Sequence, residues 1–543
     1  MKNLADLLLP DLKHDYLYYE NLYKDRSLKE GAMVTRFAPS PTGFIHMGSL
    51  FSALCSYWYA KQSDGVAFLR IEDTDQKREV EDGIEQIIND FNNLNIYFDE
   101  DPIKGGNYEP YIQSKREDIY KAYVHKLISE GLAYPCFCSE EDLSNLRKVQ
   151  EAKKDRIGYY GKYAKCRYLK EEEIIANINK DVPFVVRLKS PGSFNSEVVL
   201  NDLIKGKIKM PENDLDIVIL KSDGLPTYHF AHAIDDYLMK TTHVIRGDEW
   251  VSSYPIHDQL FKVLNFKLPY YAHIAPINIK EDGDIVRKLS KRKDPEAAIN
   301  FYTEKGIPNE VIMLYLATLM NSNFEEWYNN NPEKHIDDFE FSFNKMSTSG
   351  PLFDYEKLIN ISRTHFTTLS GEEIYNNLLN YTKEYDVQFY NILKNYKEYT
   401  IELLNIERHV KKPRKDISSY SDIKNLFWYM YDELFELNDE QYEPVKSFDE
   451  TDFIMYFNEI YSDNDEQSVW WNKLVEYADG IGYTKDKNEY KNNPHNFKGN
   501  TAYFCEIIRI IITKKNVSPN LYDLLKILNK DKMIQRIKKA QLN

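Results

Sequence analysis

The chain has only five cysteines, at positions 55, 136, 138, 166 and 505 of 543 residues. That is too few for a disulfide framework, so a reducing compartment is expected, with the cytoplasm as the default location. Long apolar runs are missing as well. No stretch approaches the roughly 20 residues needed to cross a bilayer, and no membrane partner is expected. The opening "MKNLADLLLPDLKHDY" does not read as a secretion signal, because Asp6, Pro10 and Asp11 interrupt its short apolar run. Basic charge is in deficit: 70 Lys and Arg against 86 Asp and Glu leave a net charge of −16. This argues against indiscriminate coating of nucleic acid but leaves a specific nucleic-acid partner open, since local fields over a cleft outweigh the sum. No internal repeat stands out.

What is present is globular in texture, with 42% hydrophobic and 29% charged residues, and the length calls for two to four domains. Residues 1–30 read as a polar, helix-prone extension. From Met33 the pattern turns α/β. "MVTRFAP" reads as a buried strand, "MGSLFSALCSYWYAKQSDG" as an amphipathic helix closed by Gly65, "VAFLRIED" as a second strand and "EVEDGIEQIINDFNNLNI" as a second helix. This order predicts a doubly wound parallel sheet. Shorter strands and charged helices follow over 136–219, read as an α+β insertion packed beside that sheet. Strand signals resume in "THVIRGDEW" and "PINIK" and fade beyond about residue 325. "SDIKNLFWYMYDELFEL", "NTAYFCEIIRIIITKK" and "LYDLLKILNKDKMIQRIKKA" then carry helical periodicity, so a helical C-terminal domain is expected.

Two stretches carry chemistry. In "VTRFAPSPTGFIHMGSL" (34–50), Pro39 and Pro41 stiffen a strand-to-helix turn, and Gly43 permits a backbone angle other residues resist. A helix beginning near His46 points free N–H groups and a positive dipole end over the sheet edge, which makes an anion site. Gly48 would let a base or phosphate approach the backbone, and His46 has a hydrogen to donate to phosphate oxygens. In "RKLSKRKD", Lys288 and Lys291 flank Ser290, and their flexible ammonium groups suit a polyphosphate whose charge shifts during displacement. Either stretch alone is common on ordinary surfaces. Together, in one α/β region, they point to nucleotide chemistry.

That pairing resembles the two signatures of class I aminoacyl-tRNA synthetases. The segments "TRFAPSPTGFIHMGS", "FLRIEDTDQKRE", "LKSDGLPTYHFAHAIDD", "HVIRGDEW", "SKRKD", "SGPLFDYEKL" and "KPRKDI" resemble the bacterial-type glutamyl-tRNA synthetases, in the family's order. A glutaminyl enzyme would show Pro-Glu-Pro-Asn-Gly in place of "PSPTG", and the short paralogue that modifies a tRNA base lacks an anticodon domain. The resemblance implies a class I Rossmann-like catalytic domain in two halves (31–135 and 220–340), separated by an acceptor-end-binding insertion (136–219). A helical anticodon-binding domain (341–543) follows, behind the 1–30 extension. It implies ligation of L-glutamate to tRNA(Glu) with ATP and its Mg2+, through glutamyl-adenylate. tRNA(Gln) stays open as a second substrate, and a monomer is expected by analogy.

Site residues carry over in the same way. His46, Gly48 and Ser49 would cradle ATP, and Lys288 and Lys291 would stabilise charge on its phosphates. Arg36 and Arg246 would take carboxylates, Glu72 the α-ammonium with Ser40 nearby, and Tyr228 would close the pocket. His232 stands where much of the family has Asn, and its protonation would alter the pocket's charge. Some family members hold structural zinc with three cysteines and a fourth His or Tyr. Here Cys136, Cys138 and Cys166 would need Tyr163 or Tyr168, an incomplete set, so no metal is assigned. The basic segments 408–416 and 530–539 are expected to meet tRNA phosphates. A tRNA-binding relative without catalysis could shed His46, Gly48 or Lys291, and all three are present.

Overall fold

The computed structural model describes residues 4–41, 45–75, 83–281, 283–290, 292–331, 333–446 and 448–540. The chain divides into two compact units, Met1–Phe301 with Met313–Asp354, and Tyr302–Ile312 with Tyr355–Asn543.

The first unit starts with short helices α1 (Leu4–Leu8) and α2 (Tyr16–Leu22), then strand β1 (Val34–Phe37), helix α3 (Met47–Gln62) and strand β2 (Val66–Leu69). β1 and β2 are parallel, Val34 facing Val66 and Phe37 facing Leu69. All four residues of β1 are buried, as befits a strand covered on both faces. Gly65 does not close α3 by its own backbone angle. Asp64 takes the left-handed conformation (φ 53°), and the Gly65 N–H reaches back to the Ala60 carbonyl at 2.9 Å. Glycine is needed at 65 because a Cβ there would lie 1.9 Å from the Met33 carbonyl oxygen.

Helices α4 (Gly83–Asn93) and α5 (Glu117–Ser129) complete the first half. The stretch that follows comprises β3 (Ala133–Cys136), α6 (Glu140–Ala152), α7 (Glu171–Ile178), β4 (Val185–Leu188), β5 (Glu197–Asp202), β6 (Gly206–Pro211) and β7 (Val218–Leu220). It is not one body beside the sheet. β3, β4 and β7 make their own antiparallel sheet, whereas the β5–β6 hairpin joins the sheet of the strands that follow. Next come α8 (Tyr228–Leu238), β8 (His243–Gly247), α9 (Tyr254–Leu264) and β9 (Tyr270–Ile274), giving a four-stranded order β6-β5-β9-β8. β8 and β9 run parallel, with Arg246 beside His273, and β5 meets β9 through Asp202 and Tyr271. β1 is stitched to the start of β8: the Thr242 N–H donates to the Val34 carbonyl (2.9 Å) and the Val34 N–H to Thr242 Oγ1 (2.8 Å). A hairpin of β10 (Asn278–Lys280) and β11 (Val286–Lys288) leads into the lysine-rich loop.

The N-terminal extension is part of this core. Ala5, Leu8, Leu9, Tyr19 and Tyr23 are buried in one cluster with Tyr120, Tyr123 and Leu127 of α5 and Phe230 and Ile234 of α8. Its polar side chains are tied down too, as in Lys13 to Asp118 (2.6 Å) and the Tyr23 hydroxyl to the Glu109 carbonyl (2.6 Å).

The second unit is helical apart from a two-residue pairing of Tyr483–Thr484 with Gly499–Asn500. Two of its expected helices are each split. Residues 420–437 break at Trp428–Met430, and residues 521–539 break at Asn529, which sits at φ 69° and caps the second piece by accepting from the Lys532 N–H. Among the described residues, no helix is long and apolar enough to cross a membrane.

Candidate active site and a cysteine cluster

The carboxyl ends of β1 and β8 and the amino ends of α3 and α8 converge on a cavity of about 600 Å³ in the first unit. Open α/β sheets bind ligands at this edge because helix amino termini and strand ends face it together. Its walls include Arg36, Ser40, His46, Gly48, Ser49, Glu72, Tyr228, Arg246 and Lys288. His232 is not among them. Lys291 and Gly43 lie outside the described residues.

His46 does more than face the cavity. It is the N-cap of α3, its Nδ1 accepting from the Ser49 N–H (3.2 Å) while its own N–H donates to Ser49 Oγ (3.0 Å). With Nδ1 an acceptor, a neutral ring carries its hydrogen on Nε2. A Cβ on residue 48 would sit 3.3 Å from Nδ1 and Cε1 of this ring, so Gly48 makes room for His46 itself.

The two arginines are each held from behind. Arg36 donates from Nε to Asp236 Oδ2 at 3.4 Å. Asp236 also takes Arg70 Nη1 at 2.7 Å, and Arg70 Nη2 reaches Glu72 at 3.1 Å. Burial pushes the Glu72 carboxyl above its ordinary value, opposed by Arg70 and Arg36. Asp236 is driven the other way: burial would raise it, but the charges of Arg70 and Arg36 hold it well below the usual carboxylate range. Arg246 donates from Nε to His273 Nε2 at 3.0 Å, and from Nη1 to the Tyr228 hydroxyl at 3.4 Å. Tyr228 stacks on Trp250, rings 4.3 Å apart. Trp250 lines the cavity and stands in the "RGDEW" segment, but an aromatic next to a charged motif carries no sequence signal of its own.

His232 lies fully buried behind Tyr228. Its Nε2 is 2.9 Å from the Tyr271 hydroxyl, and its Nδ1 is 2.9 Å from Asp236 Oδ2 but outside hydrogen-bond geometry. Burial, with Arg246 and Arg36 adding to it against Asp236, lowers its pKa to about 3. The ring is therefore neutral at pH 7, and the concern over its charge does not arise.

The lysine-rich loop is pinned at its root. Arg287 grips Asp294 through two 2.7 Å bonds, and Asp294 accepts from the Ser290 N–H at 2.7 Å. Lys288 is exposed at the cavity rim.

Apart from this cavity, the sulfurs of Cys136, Cys138 and Cys166 all lie within 4.8 Å of one another. The fourth oxygen beside them belongs to neither Tyr163 nor Tyr168. The Tyr163 hydroxyl bonds Asp155, and Tyr168 is exposed. Tyr159 fills the place instead, its hydroxyl 3.5 Å from Cys136 Sγ and 3.4 Å from Cys138 Sγ, and accepting from the Cys166 N–H at 3.0 Å. Three soft donors around one phenol oxygen fit a tetrahedral ion such as zinc, whose ligand bonds of about 2.3 Å put sulfurs a little under 4 Å apart.

In the second unit, the basic run 408–416 is partly turned inward. Arg408 is buried and donates from Nε to the Leu404 carbonyl (2.7 Å), and burial lowers its pKa to about 10. Arg536 of the tail is likewise buried, bonded to the Ile512 carbonyl (2.9 Å). His409, Lys411 and Lys412 are exposed.

Comparison with known proteins agrees with this architecture. The family described as "tRNA synthetases class I (E and Q), catalytic domain" matches residues 32–359. The chain is 43% identical over 546 residues to a glutamate–tRNA ligase of Clostridium perfringens (strain SM101 / Type A), covering 99% of each chain. It is 43% identical over 542 residues to that of Acetivibrio thermocellus, again covering 99% of each. Two crystal structures of glutamate-tRNA synthetases are similar in fold. One from Elizabethkingia anophelis has a TM-score of 0.72 at 28% identity, with 94% of this chain and 99% of that one covered. One from Elizabethkingia meningosepticum, in complex with its amino acid, has a TM-score of 0.70 at 29% identity, covering 94% and 100%. The chain belongs to the class I tRNA synthetases of the glutamate and glutamine type.

Proposed function

We propose that this protein is a glutamate–tRNA ligase that joins L-glutamate to tRNA(Glu) in two ATP-dependent steps. A glutamate α-carboxylate oxygen attacks the α-phosphorus of ATP, forming glutamyl-adenylate and releasing pyrophosphate. A ribose hydroxyl of the tRNA's terminal adenosine then attacks the activated carbonyl, and AMP leaves. Neither step needs a protein nucleophile, so positioning and charge stabilisation carry the catalysis. The observation that carries the reading is one cavity walled by two buried guanidinium groups, the largely shielded Glu72 carboxylate and a capped helix terminus.

His46, Gly48 and Ser49 take the ATP end, with Nε2–H of His46 as donor and the α3 terminus as positive pole. Lys288 and Lys291 take the phosphates, and Mg2+ accompanies the nucleotide, shielding its charge when bound. Arg36 and Arg246 bind substrate carboxylates, Glu72 meets the α-ammonium beside Ser40, and Tyr228 closes the pocket. His232 acts on Asp236 and thereby on Arg36, not on the ligand. Cys136, Cys138, Cys166 and Tyr159 would hold a structural zinc ion, which would tie β3 to the 159–168 segment. The protein works as a monomer in the cytoplasm.

Charging of purified tRNA(Glu) and tRNA(Gln) transcripts with labelled glutamate tests the reading, with Lys291→Ala as the inactive control. Charging of tRNA(Glu) alone marks a discriminating enzyme. Charging of both marks a non-discriminating one. Charging of neither by folded protein would refute the assignment.

A further inference from the structure

The two cavity arginines are anchored by unlike partners. Behind Arg36 stands a carboxylate, Asp236. Behind Arg246 stands an imidazole, and a chain of contacts runs outward from it across three adjacent strands. Arg246 on β8 and His273 on β9 are direct neighbours in the parallel register. The guanidinium Nε–H donates to His273 Nε2 at 3.0 Å, and because arginine is always protonated this nitrogen must be the unprotonated one. His273 Nδ1 therefore carries the hydrogen and donates it to Asp202 Oδ2 at 2.7 Å, on β5. The same oxygen accepts the His273 backbone N–H at 3.0 Å, while Asp202 Oδ1 accepts from the Ile204 and Lys205 N–H groups (3.0 and 2.8 Å). Every hydrogen-bonding group of the Asp202–His273 pair is thus committed. Both residues are buried, and His273 does not line the cavity.

We infer that His273 is a positioning residue for substrate recognition, its tautomer set by Asp202 so that a neutral acceptor holds Arg246 by Nε and leaves both Nη groups toward the cavity. The difference from Arg36 has a chemical consequence. Asp236 faces both Arg36 and Arg70, so the positive charge of Arg36 is partly compensated locally. A neutral imidazole compensates nothing, and Arg246 keeps its full charge for an anionic group of the ligand. Its Nη contacts inside the protein, to the Tyr228 hydroxyl at 3.4 Å and the Trp250 carbonyl at 3.5 Å, are long ones that a carboxylate displaces easily. The pocket thereby favours a side-chain carboxylate over the neutral amide of the same shape. This rests on the reading of Arg246 as a glutamate-binding residue.

Two substitutions separate the parts of the device. In His273→Asn the δ-position amide still reaches Asp202 but no acceptor reaches Arg246. In His273→Gln an ε-position oxygen stands where Nε2 was. Initial rates of glutamate charging on tRNA(Glu), with KM measured separately for glutamate and ATP, should show KM for glutamate raised about tenfold or more in His273→Asn. KM for ATP and the melting midpoint should stay near wild type, and most of the glutamate affinity should return in His273→Gln. In an Arg246→Met background His273→Asn should add nothing further. If His273→Asn leaves KM for glutamate unchanged while Arg246→Met raises it, the positioning role is wrong and Arg246 keeps its assignment. If Arg246→Met itself leaves that KM unchanged, the reading of Arg246 fails and the inference with it. A His273→Gln enzyme as impaired as His273→Asn, or a parallel rise in KM for ATP, would mean that the ring serves packing alone.

Discussion

Arg26, just beyond the two N-terminal helices, closes on Glu100 through two parallel hydrogen bonds of 2.8 Å, its guanidinium lying 4.0 Å from the centre of the Tyr108 ring. The pair is largely shielded from solvent, and Arg26 Nε also reaches the Met239 carbonyl at 3.1 Å. The extension thus grips the loop after α4 and the end of α8 with a single side chain. Removing one partner of such a pair leaves a buried charge uncompensated, which costs about 3 kcal/mol. Arg26→Ala should therefore lower the urea midpoint of the first unit's transition, followed by tryptophan fluorescence. An unchanged midpoint would mean that the Arg26–Glu100 pair adds nothing to the hold of the buried apolar contacts.

The cap on α3 gives a separable prediction for His46. His46→Ala deletes an N-cap worth about 1 kcal/mol and should reduce both stability and charging activity. His46→Asn replaces one good capping side chain with another, so stability should return. Activity should stay about a hundredfold down, because the Nε2–H donor is gone. Charging assays and thermal melts on both variants decide it, and recovery of activity in the Asn variant would show that the cap is the residue's whole role.

What was legible in the sequence and what was not divides along chain distance. His46 and Gly48 belong to one strand–turn–helix unit, and turn chemistry with hydrophobic periodicity acts between near neighbours, so that part of the wall could be read from the residues themselves. Arg36 and Ser40 came only with the family motif around them. Lys288 and the β8 residue Arg246 were legible through their motifs. Asp202, His273 and Tyr159 were not. Asp202 and His273 find each other through strand adjacency and a hairpin that joins another sheet, and an isolated Asp or His in a strand carries no mark of that pairing. Tyr159 meets Cys136 and Cys138 from more than 20 residues along the chain. His232, placed at the pocket by the family resemblance alone, lies behind it, because the helix turns it toward Asp236 and Tyr271. Arg408 and Arg536 show the converse, since a basic run looks solvated until one sees which of its members packs inward.

The cysteine cluster predicts a metal content. Purified protein should carry one equivalent of zinc by elemental analysis, and Cys166→Ser should lose it. Tyr159→Phe removes the fourth donor while keeping the ring that lies 4.2 Å from the Arg187 guanidinium. Zinc should then bind more weakly and exchange faster with a chelator. Because the cluster joins β3 to the 159–168 segment, loss of the ion should expose the 136–220 region to limited proteolysis ahead of the rest of the first unit. Metal-free protein with unaltered proteolysis would leave the four residues as ordinary packing.

Acid sensitivity follows from the buried histidines. His232 titrates near 3, against about 6.5 in an unfolded chain, with burial as the main cause. Between those two values the unfolded state binds a proton that the folded state refuses, so ν for the unfolded state is the larger and stability rises with pH. The contribution is fully present above about pH 6.5 and drains away as pH falls toward 3, at most about 1.4 kcal/mol per pH unit for this one ring. His229, lowered to about 4 mainly by burial, acts in the same direction. Asp236, held below its ordinary value of 3.8, adds its own loss only below about pH 4, so between pH 6.5 and 4.5 the histidines act without it. His232→Asn removes one titrating group and leaves a side chain that still reaches a hydrogen-bond partner. Its melting midpoint should fall less steeply than the wild type's between pH 6.5 and 4.5, while KM for glutamate between pH 6.5 and 8 should show no titration in either protein. Equal slopes would mean that His232 is protonated in the folded state, and its ion pair with Asp236 would then carry a charge that the burial of both groups argues against.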